Sequence, residues 1–194
     1  MATFWRSYLH VLSKHPWKTQ LATTGVLCGA GDCIAQLIVE KKELRHYDWI
    51  RCTRFTLVGF CVIGPALRTW YLALERLFGT TGKSVALKKV FFDQTIFAPI
   101  FLGNFIMLMS HLQGQKWPDI KNTMEKDYTS VLLTNYKIWP MTQVVNFYFV
   151  PFQHRILVVN VVALGWNTYL AWKANKALER SLVKENRKEQ AKTV

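Results

Sequence analysis

Acid is scarce in this chain. Twelve Asp and Glu stand against 25 Lys and Arg in 194 residues, and the first acid is Asp32. A formal net charge of +13 is unusual for a soluble domain. It leaves three classes: nucleic-acid binders, membrane-surface proteins and small organellar membrane proteins. Charge of either sign is missing from long stretches. No Asp, Glu, Lys or Arg occurs in the 22 residues Gln94–Gln115, nor in the 17 of Ile138–His154 or the 17 of Ile156–Trp172. A helix needs about 20 apolar residues to cross a bilayer core. Runs of this length argue for an integral membrane protein. The basic charge sits in short connectors, not on one groove-fitting helix, so direct nucleic-acid binding is not expected.

Other absences narrow the chemistry. The first residues, MATFWRSYLHVLSKHPWK, have no continuous apolar core and no A-x-A-like cleavage site, so a secretory signal peptide is not expected. They are basic, through Arg6, Lys14 and Lys18, with Phe4, Tyr8, Val11 and Leu12 on one helical face. That fits an organelle-targeting segment, an interfacial helix or an amphipathic lead-in to the first span. The four cysteines, Cys28, Cys33, Cys52 and Cys61, make no C-x-x-C. Cys28 and Cys33 fall on different helical faces, and a small apolar filler role is the expectation rather than zinc. H-E-x-x-H and G-x-S-x-G are both absent, and Asp32 and Asp93 alone do not make an acid–base pair. No enzyme activity, metal or cofactor is expected.

What is present is apolar and aromatic. Five segments stand out: Thr19–Val39, Phe55–Phe78, Val90–Leu112, Val131–Val150 and Phe152–Trp172. Basic connectors, EKKELRHYDWIRCTR (40–54) and QKWPDIKNTMEKDY (115–128), separate them. Trp17, Trp49, Trp117 and Trp172 sit at segment edges, where an indole ring is half wet. Val131–Trp172 is twice the length that a bilayer needs. Trp139-Pro140 and Val150-Pro151 are expected to break it, into two spans or one long bent helix. From Lys173 onward the tail reads as a frayed, solvated helix. Strand alternation and internal repeats are not seen.

Two look-alike motifs fail on inspection. GTTGKS (79–84) suggests a phosphate loop, but G-x-x-x-x-G-K-[ST] puts its first Gly at position 77, which is Leu77. The segment before it, WYLALERLF, reads as helix rather than strand. A short interhelical turn fits better, with Ser84 as N-cap of the next helix. Gly29-Ala30-Gly31 lacks the third Gly of a dinucleotide fingerprint, because position 34 is Ile34. Gly25 and Gly29 instead form G-x-x-x-G inside an apolar segment. With Gly31 they are expected to let helices approach closely.

Polar groups inside apolar segments are costly and usually face a partner or a hydrated cavity. Asp32, Arg68, Asp93, Lys137 and Arg155 are the ionisable ones, and Arg68 is free to pair with Asp32 or Asp93. At about 100° per residue, Asp93, Asn104 and His111 lie within roughly 20° of one line. Asn135, Trp139, Thr142, Gln143 and Asn146 fall in an arc of about 100° by the same arithmetic. Asp32 and Gln36 share a face, as do Asn160 and Asn167. Converging stripes can line a hydrated path. Equally, they can be interhelical glue. Asp93 can serve as a helix-dipole partner, and Lys137 and Arg155 can snorkel to the interface.

HPWKTQ (15–20), GAGDCIAQ (29–36), DWIRCTRF (48–55), IGPALRTWY (63–71), KKVFFDQTIFAP (88–99), TNYKIWPMTQVVNFYFVP (134–151) and WNTYLAW (166–172) occur in this order. Together they resemble the Mpv-seventeen / peroxisomal membrane protein 22 family over nearly the whole chain. The resemblance implies an all-α integral membrane bundle of about four transmembrane helices, with kinked, Pro-broken segments and interfacial helices. The expected organisation is one domain over 1–172, spanning at 19–39, 55–78, 90–112 and 131–172 with a break near 140–151, then the charged tail 173–194. On that count the N-terminus, the 79–89 loop and the tail share one side. The resemblance also implies a place in the mitochondrial inner membrane, or alternatively the peroxisomal membrane, with no catalysis. Family members resemble weakly selective channels for small solutes and are tied to mitochondrial DNA upkeep. The expected partners are the lipid bilayer and small-molecule solutes, with a homo-oligomer left open. The candidate lining or gating residues are Asp32, Gln36, Arg68, Asp93, Gln94, Asn104, Asn135, Trp139, Pro140, Gln143, Asn146 and Asn167. Two other readings stay open: a scaffold of a membrane complex and an alternating-access carrier.

Overall fold

A computed structural model describes residues 2–80, 82–150 and 154–191. Every long element among them is a helix. The chain forms two compact units, one of Met1–Thr80 with Ala163–Thr168 and one of Thr81–Val162 with Tyr169–Val194.

The first unit starts with α1 (Ala2–Lys14) and α2 (Pro16–Ile34). Pro16 opens α2, where its missing N–H costs nothing. A π-helical turn, Ala35–Val39, closes α2. After a short 3-10 turn, Leu44–His46, Asp48 caps α3 (Trp49–Val58) by accepting a hydrogen bond from the Arg51 backbone N–H at 2.8 Å. The helix therefore begins inside the stretch 40–54 read as a connector. A second π turn, Gly59–Ile63, joins α3 to α4 (Gly64–Phe78). Pro65 explains it: a proline ring clashes with the carbonyl four residues back, here that of Cys61, and a wider turn relieves the clash.

α2 and α3 lie very close. A Cβ built on Gly29 would stand 2.3 Å from Thr56 Oγ1, and one on Gly59 would stand 2.8 Å from Cys28 Sγ. Gly25 faces Phe60 and the Thr56 carbonyl at 3.1–3.2 Å. Elsewhere on α2, Gly31 abuts the backbone of Asn167 and Thr168 at 2.9 Å.

The turn 79–82 has the backbone that glycine permits, with φ of +83° at Gly79 and +113° at Gly82. It follows a helix, so the phosphate-loop fold is absent here. Gly82, not Ser84, occupies the N-cap of α5 (Lys83–Phe92). In the second unit a third π turn, Asp93–Phe97, leads into α6 (Ala98–Leu112), and Pro99 causes it as Pro65 does the second.

α7 (Trp117–Tyr148) starts 11 residues before the end of the stretch 115–128 read as a connector, with Pro118 in its first turn. Its helix runs through Pro140 without breaking. Proline is tolerated within long apolar helices because neighbouring groups satisfy the freed carbonyl. α7 ends at Tyr148, beyond Pro140; Pro151 lies outside the described residues. α8 (Arg155–Gln190) then continues unbroken through the tail, whose last residues, 192–194, are outside the description. The expected fourth segment, 131–172, is therefore parts of two helices. The tail is packed: Ala177 and Asn175 are buried, and ion pairs tie it to α7.

Among the described residues, three rods are long and apolar enough to cross a bilayer: Pro16–Val39, Trp49–Phe78 and Ser84–Leu112. The uncharged run Ile156–Trp172 of α8, 17 residues, is about 25 Å long and nearly reaches the roughly 30 Å of a hydrocarbon core.

Candidate functional site: two buried polar clusters

The first cluster belongs to the first unit. Asp32 and Gln36 are fully buried one turn apart at the end of α2. Arg51, in the first turn of α3, reaches them, its Nε lying 2.6 Å from Asp32 Oδ1. That contact is a close ion pair, bent away from the line of a hydrogen bond. Arg51 Nη1 also donates to Glu40 Oε2 at 2.8 Å, and Lys42 Nζ lies 3.2 Å from the same oxygen. Gln36 completes the set. Its Nε2 donates to Asp32 Oδ2 at 2.8 Å and to the Asp48 carbonyl at 3.0 Å, while its Oε1 accepts from the Asp48 N–H at 2.8 Å. Two acids and two bases balance in charge, and every hydrogen-bonding atom of the Gln36 amide is used. The cluster clasps the 40–48 connector to both helices.

This arrangement corrects the expected pairing. Asp32 pairs with Arg51, not Arg68, because Arg51 enters the same helical hairpin three residues after the Asp48 cap. Arg68 is half-buried on α4, and its Nε has no hydrogen-bond partner among the described residues.

The second cluster belongs to the second unit. Gln94, in the π turn before α6, accepts a hydrogen bond at Oε1 from Asn135 Nδ2 of α7 at 2.7 Å, and both residues are buried. Gln94 Nε2 in turn donates to Asp93 Oδ2 at 2.9 Å. Farther along the same face of α7, Trp139 and Gln143 are half-buried and Asn146 is 4% exposed, while the half-buried Pro140 lies beside that face. Asn146 Oδ1 is buried with no donor among the described residues. Asn104 is exposed on α6 and donates to its own Ile100 carbonyl at 2.8 Å, so it stands apart from this cluster. Asn167 is half-buried with its backbone against Gly31 in the first unit.

Below it, Asp127 of α7 takes Lys173 Nζ at 3.3 Å and also Arg180 of α8. Lys184 lies 3.5 Å from Asp119, and Lys116 pairs with Glu185. Asp127 and Lys173 help line a cavity of about 20 Å³ with Ser110, Thr123, Val131 and Leu170. That volume holds one water. Among the described residues, no group of three His, Cys, Asp or Glu is placed to hold a metal ion.

Sequence reasoning missed Arg51, Glu40, Asp127 and Lys173. The available signal for Arg51 was Asp48 ahead of Trp-Ile-Arg-Cys, an N-cap that puts Arg51 inside a helix.

The Mpv17 / PMP22 family model matches residues 110–171. The chain is 47% identical over 177 residues to the mitochondrial inner membrane protein Mpv17 of Xenopus laevis, covering 91% of this chain and 100% of that one. It is 44% identical to the protein of the same name from Danio rerio, over 91% of this chain and 99% of the relative. It is 42% identical to protein sym-1 of Neurospora crassa, over 85% of this chain and 95% of the relative. No solved structure matches.

Proposed function

Because the chain belongs to the Mpv17 / PMP22 family and is an integral protein of the mitochondrial inner membrane, we propose that it forms a weakly selective channel for small solutes. Such a path would serve metabolite and nucleotide balance in the organelle, and through it the maintenance of mitochondrial DNA. The reading assigns the chain no catalytic step.

One observation carries it. Asn146 buries an amide oxygen with no donor among the described residues, on the α7 face that also bears Asn135, Trp139 and Gln143. In an apolar setting such an acceptor is costly unless something donates to it. A file of water or a hydroxyl-bearing solute supplies that donor, as polar linings do in pores. The lining is therefore assigned to Gln94, Asn135, Gln143 and Asn146, with Trp139 and Pro140 shaping it. Asp93, bonded to Gln94, sets its charge preference. Asp32 and Gln36 leave the lining, since the Asp32 charge is paired with Arg51 and the Gln36 amide is spent within the same cluster.

Purified protein in planar bilayers should conduct. Asn146→Leu should lower unitary conductance several-fold, and Asp93→Asn should shift selectivity toward anions. Asp32→Asn should leave selectivity unchanged in whatever protein folds. Folded wild-type protein that stays silent, and co-purifies with a stoichiometric membrane complex, would replace this reading with a scaffold. The charge-balanced Asp32–Arg51 clasp, whose Gln36 amide is spent on protein partners, is the feature favouring that second reading.

A further inference from the structure

Three polar side chains outside both clusters meet at the α2–α3 contact. Cys33 Sγ of α2 lies 3.6 Å from Cys52 Sγ of α3. The Tyr47 hydroxyl, from the connector between them, lies 2.8 Å from Cys33 Sγ. Both thiols are free and half-buried, whereas Cys28 is buried and Cys61 is on an exposed face. Gly29 and Gly59 hold the two helices too close for the sulfurs to separate far. A disulfide needs about 2.05 Å, so each sulfur has to move by only about 0.8 Å.

We propose that Cys33 and Cys52 are an oxidisable dithiol, a modification site that a hydroperoxide converts into an intramolecular disulfide. Cys33 gives its thiol proton to solvent, and its sulfur attacks the peroxide. The O–O bond breaks, Cys33 becomes a sulfenic acid, and the departing alkoxide or hydroxide takes up a proton. Cys52 sulfur then attacks Cys33 sulfur. The S–O bond breaks, and hydroxide leaves with the Cys52 proton as water. The two sulfurs lose two electrons and the peroxide gains them. Tyr47 is a positioning residue. Burial pushes its hydroxyl above the ordinary tyrosine range, so it stays protonated and holds Cys33 sulfur beside Cys52. The crosslink would staple α2 to α3 next to the Asp32–Arg51 clasp.

The full chain, reconstituted in lipid vesicles, is treated with hydrogen peroxide, quenched with a maleimide under denaturing conditions and digested without reductant. Lys41, Lys42 and Arg45 lie between the two cysteines, so trypsin separates them unless a disulfide joins their peptides. The expected result is a Cys33–Cys52 linked peptide, loss of two of the four free thiols, and their return with reductant. The link should persist in Cys28→Ser and Cys61→Ser and vanish in Cys33→Ser and Cys52→Ser. Tyr47→Phe should slow its formation several-fold without lowering the final yield. Four free thiols after peroxide, or linkage through Cys28 or Cys61, would overturn the proposal. An unchanged rate in Tyr47→Phe would remove Tyr47 from it.

Discussion

Arg51 is the residue on which the first unit most depends. It is 4% exposed and neutralises Asp32, which is 0% exposed. Taking away one partner of such a pair strands the other charge, at a cost of about 3–5 kcal/mol. Arg51→Ala should lower the melting temperature in detergent, measured by scanning fluorimetry. Arg51→Met combined with Asp32→Asn should recover most of the loss, because both charges then go together. Gly29 is the other sensitive position. The methyl of Gly29→Ala would collide with Thr56 Oγ1, which is held by its own hydrogen bond to the Cys52 carbonyl at 2.9 Å. Overpacking of this kind costs about 1–3 kcal/mol. Thr56→Ala in the same chain should relieve it, and a double-mutant melt would read the relief as non-additivity. Asp32 and Gln36 were visible in the sequence as buried polar groups. Their partner was not, because Arg51 sits among Lys and Arg that are solvated, and nothing local separates one buried arginine from several wet ones.

Elements follow the apolar pattern closely where helices are regular, and less where they are not. The first three rods coincide with the apolar segments, extended at their N-terminal ends by residues that capping and first-turn prolines recruit. Faces drawn at a constant angle per residue fail across a π turn. Such a turn absorbs about one extra residue and rotates the helix beyond it by roughly 100°. The line through Asp93, Asn104 and His111 crosses the turn Asp93–Phe97, and so Asn104 ends on the outside while Gln94 is buried. Pro65 and Pro99 are legible in the sequence, but their resolution into π turns depends on the neighbouring helices. Part of the charged half of α8 is anchored in a way the sequence does not show: Lys173, Arg180 and Lys184 pair with α7, and a partner far away in sequence leaves no local trace. Removing Lys173 and Arg180 together, as alanines, should destabilise the second unit by about 2–3 kcal/mol. That is less than for a fully buried pair because Arg180 is partly exposed and screened. Restoring stability with Asp127→Asn would assign the loss to the stranded carboxylate.

For the whole molecule the ion pairs between α7 and α8 have a topological reading. They tie the tail to the start of α7, which begins five residues after α6 ends. The tail therefore lies on the side where the third rod emerges. By chain connectivity, three crossings before α7 predict a tail on the side opposite the N-terminus, where the four-span expectation gives a shared side. Tags placed at the N-terminus and after Gln190 should differ in protease protection in sealed mitoplasts; equal protection would contradict the three-crossing count. Membership of the Mpv17 / PMP22 family and the mitochondrial inner membrane were both readable from short aromatic motifs. These motifs keep their order through the chain even where the helix boundaries drawn around them shift.

α8 is 36 residues of uninterrupted helix, a rod about 54 Å long at 1.5 Å per residue. Rods carry torque. Whatever grips the charged end, whether an antibody fragment, a crosslinker or a bound protein, turns the apolar end through the same angle with no relay of side-chain contacts. The tail is in that sense a handle on the membrane half of its own helix.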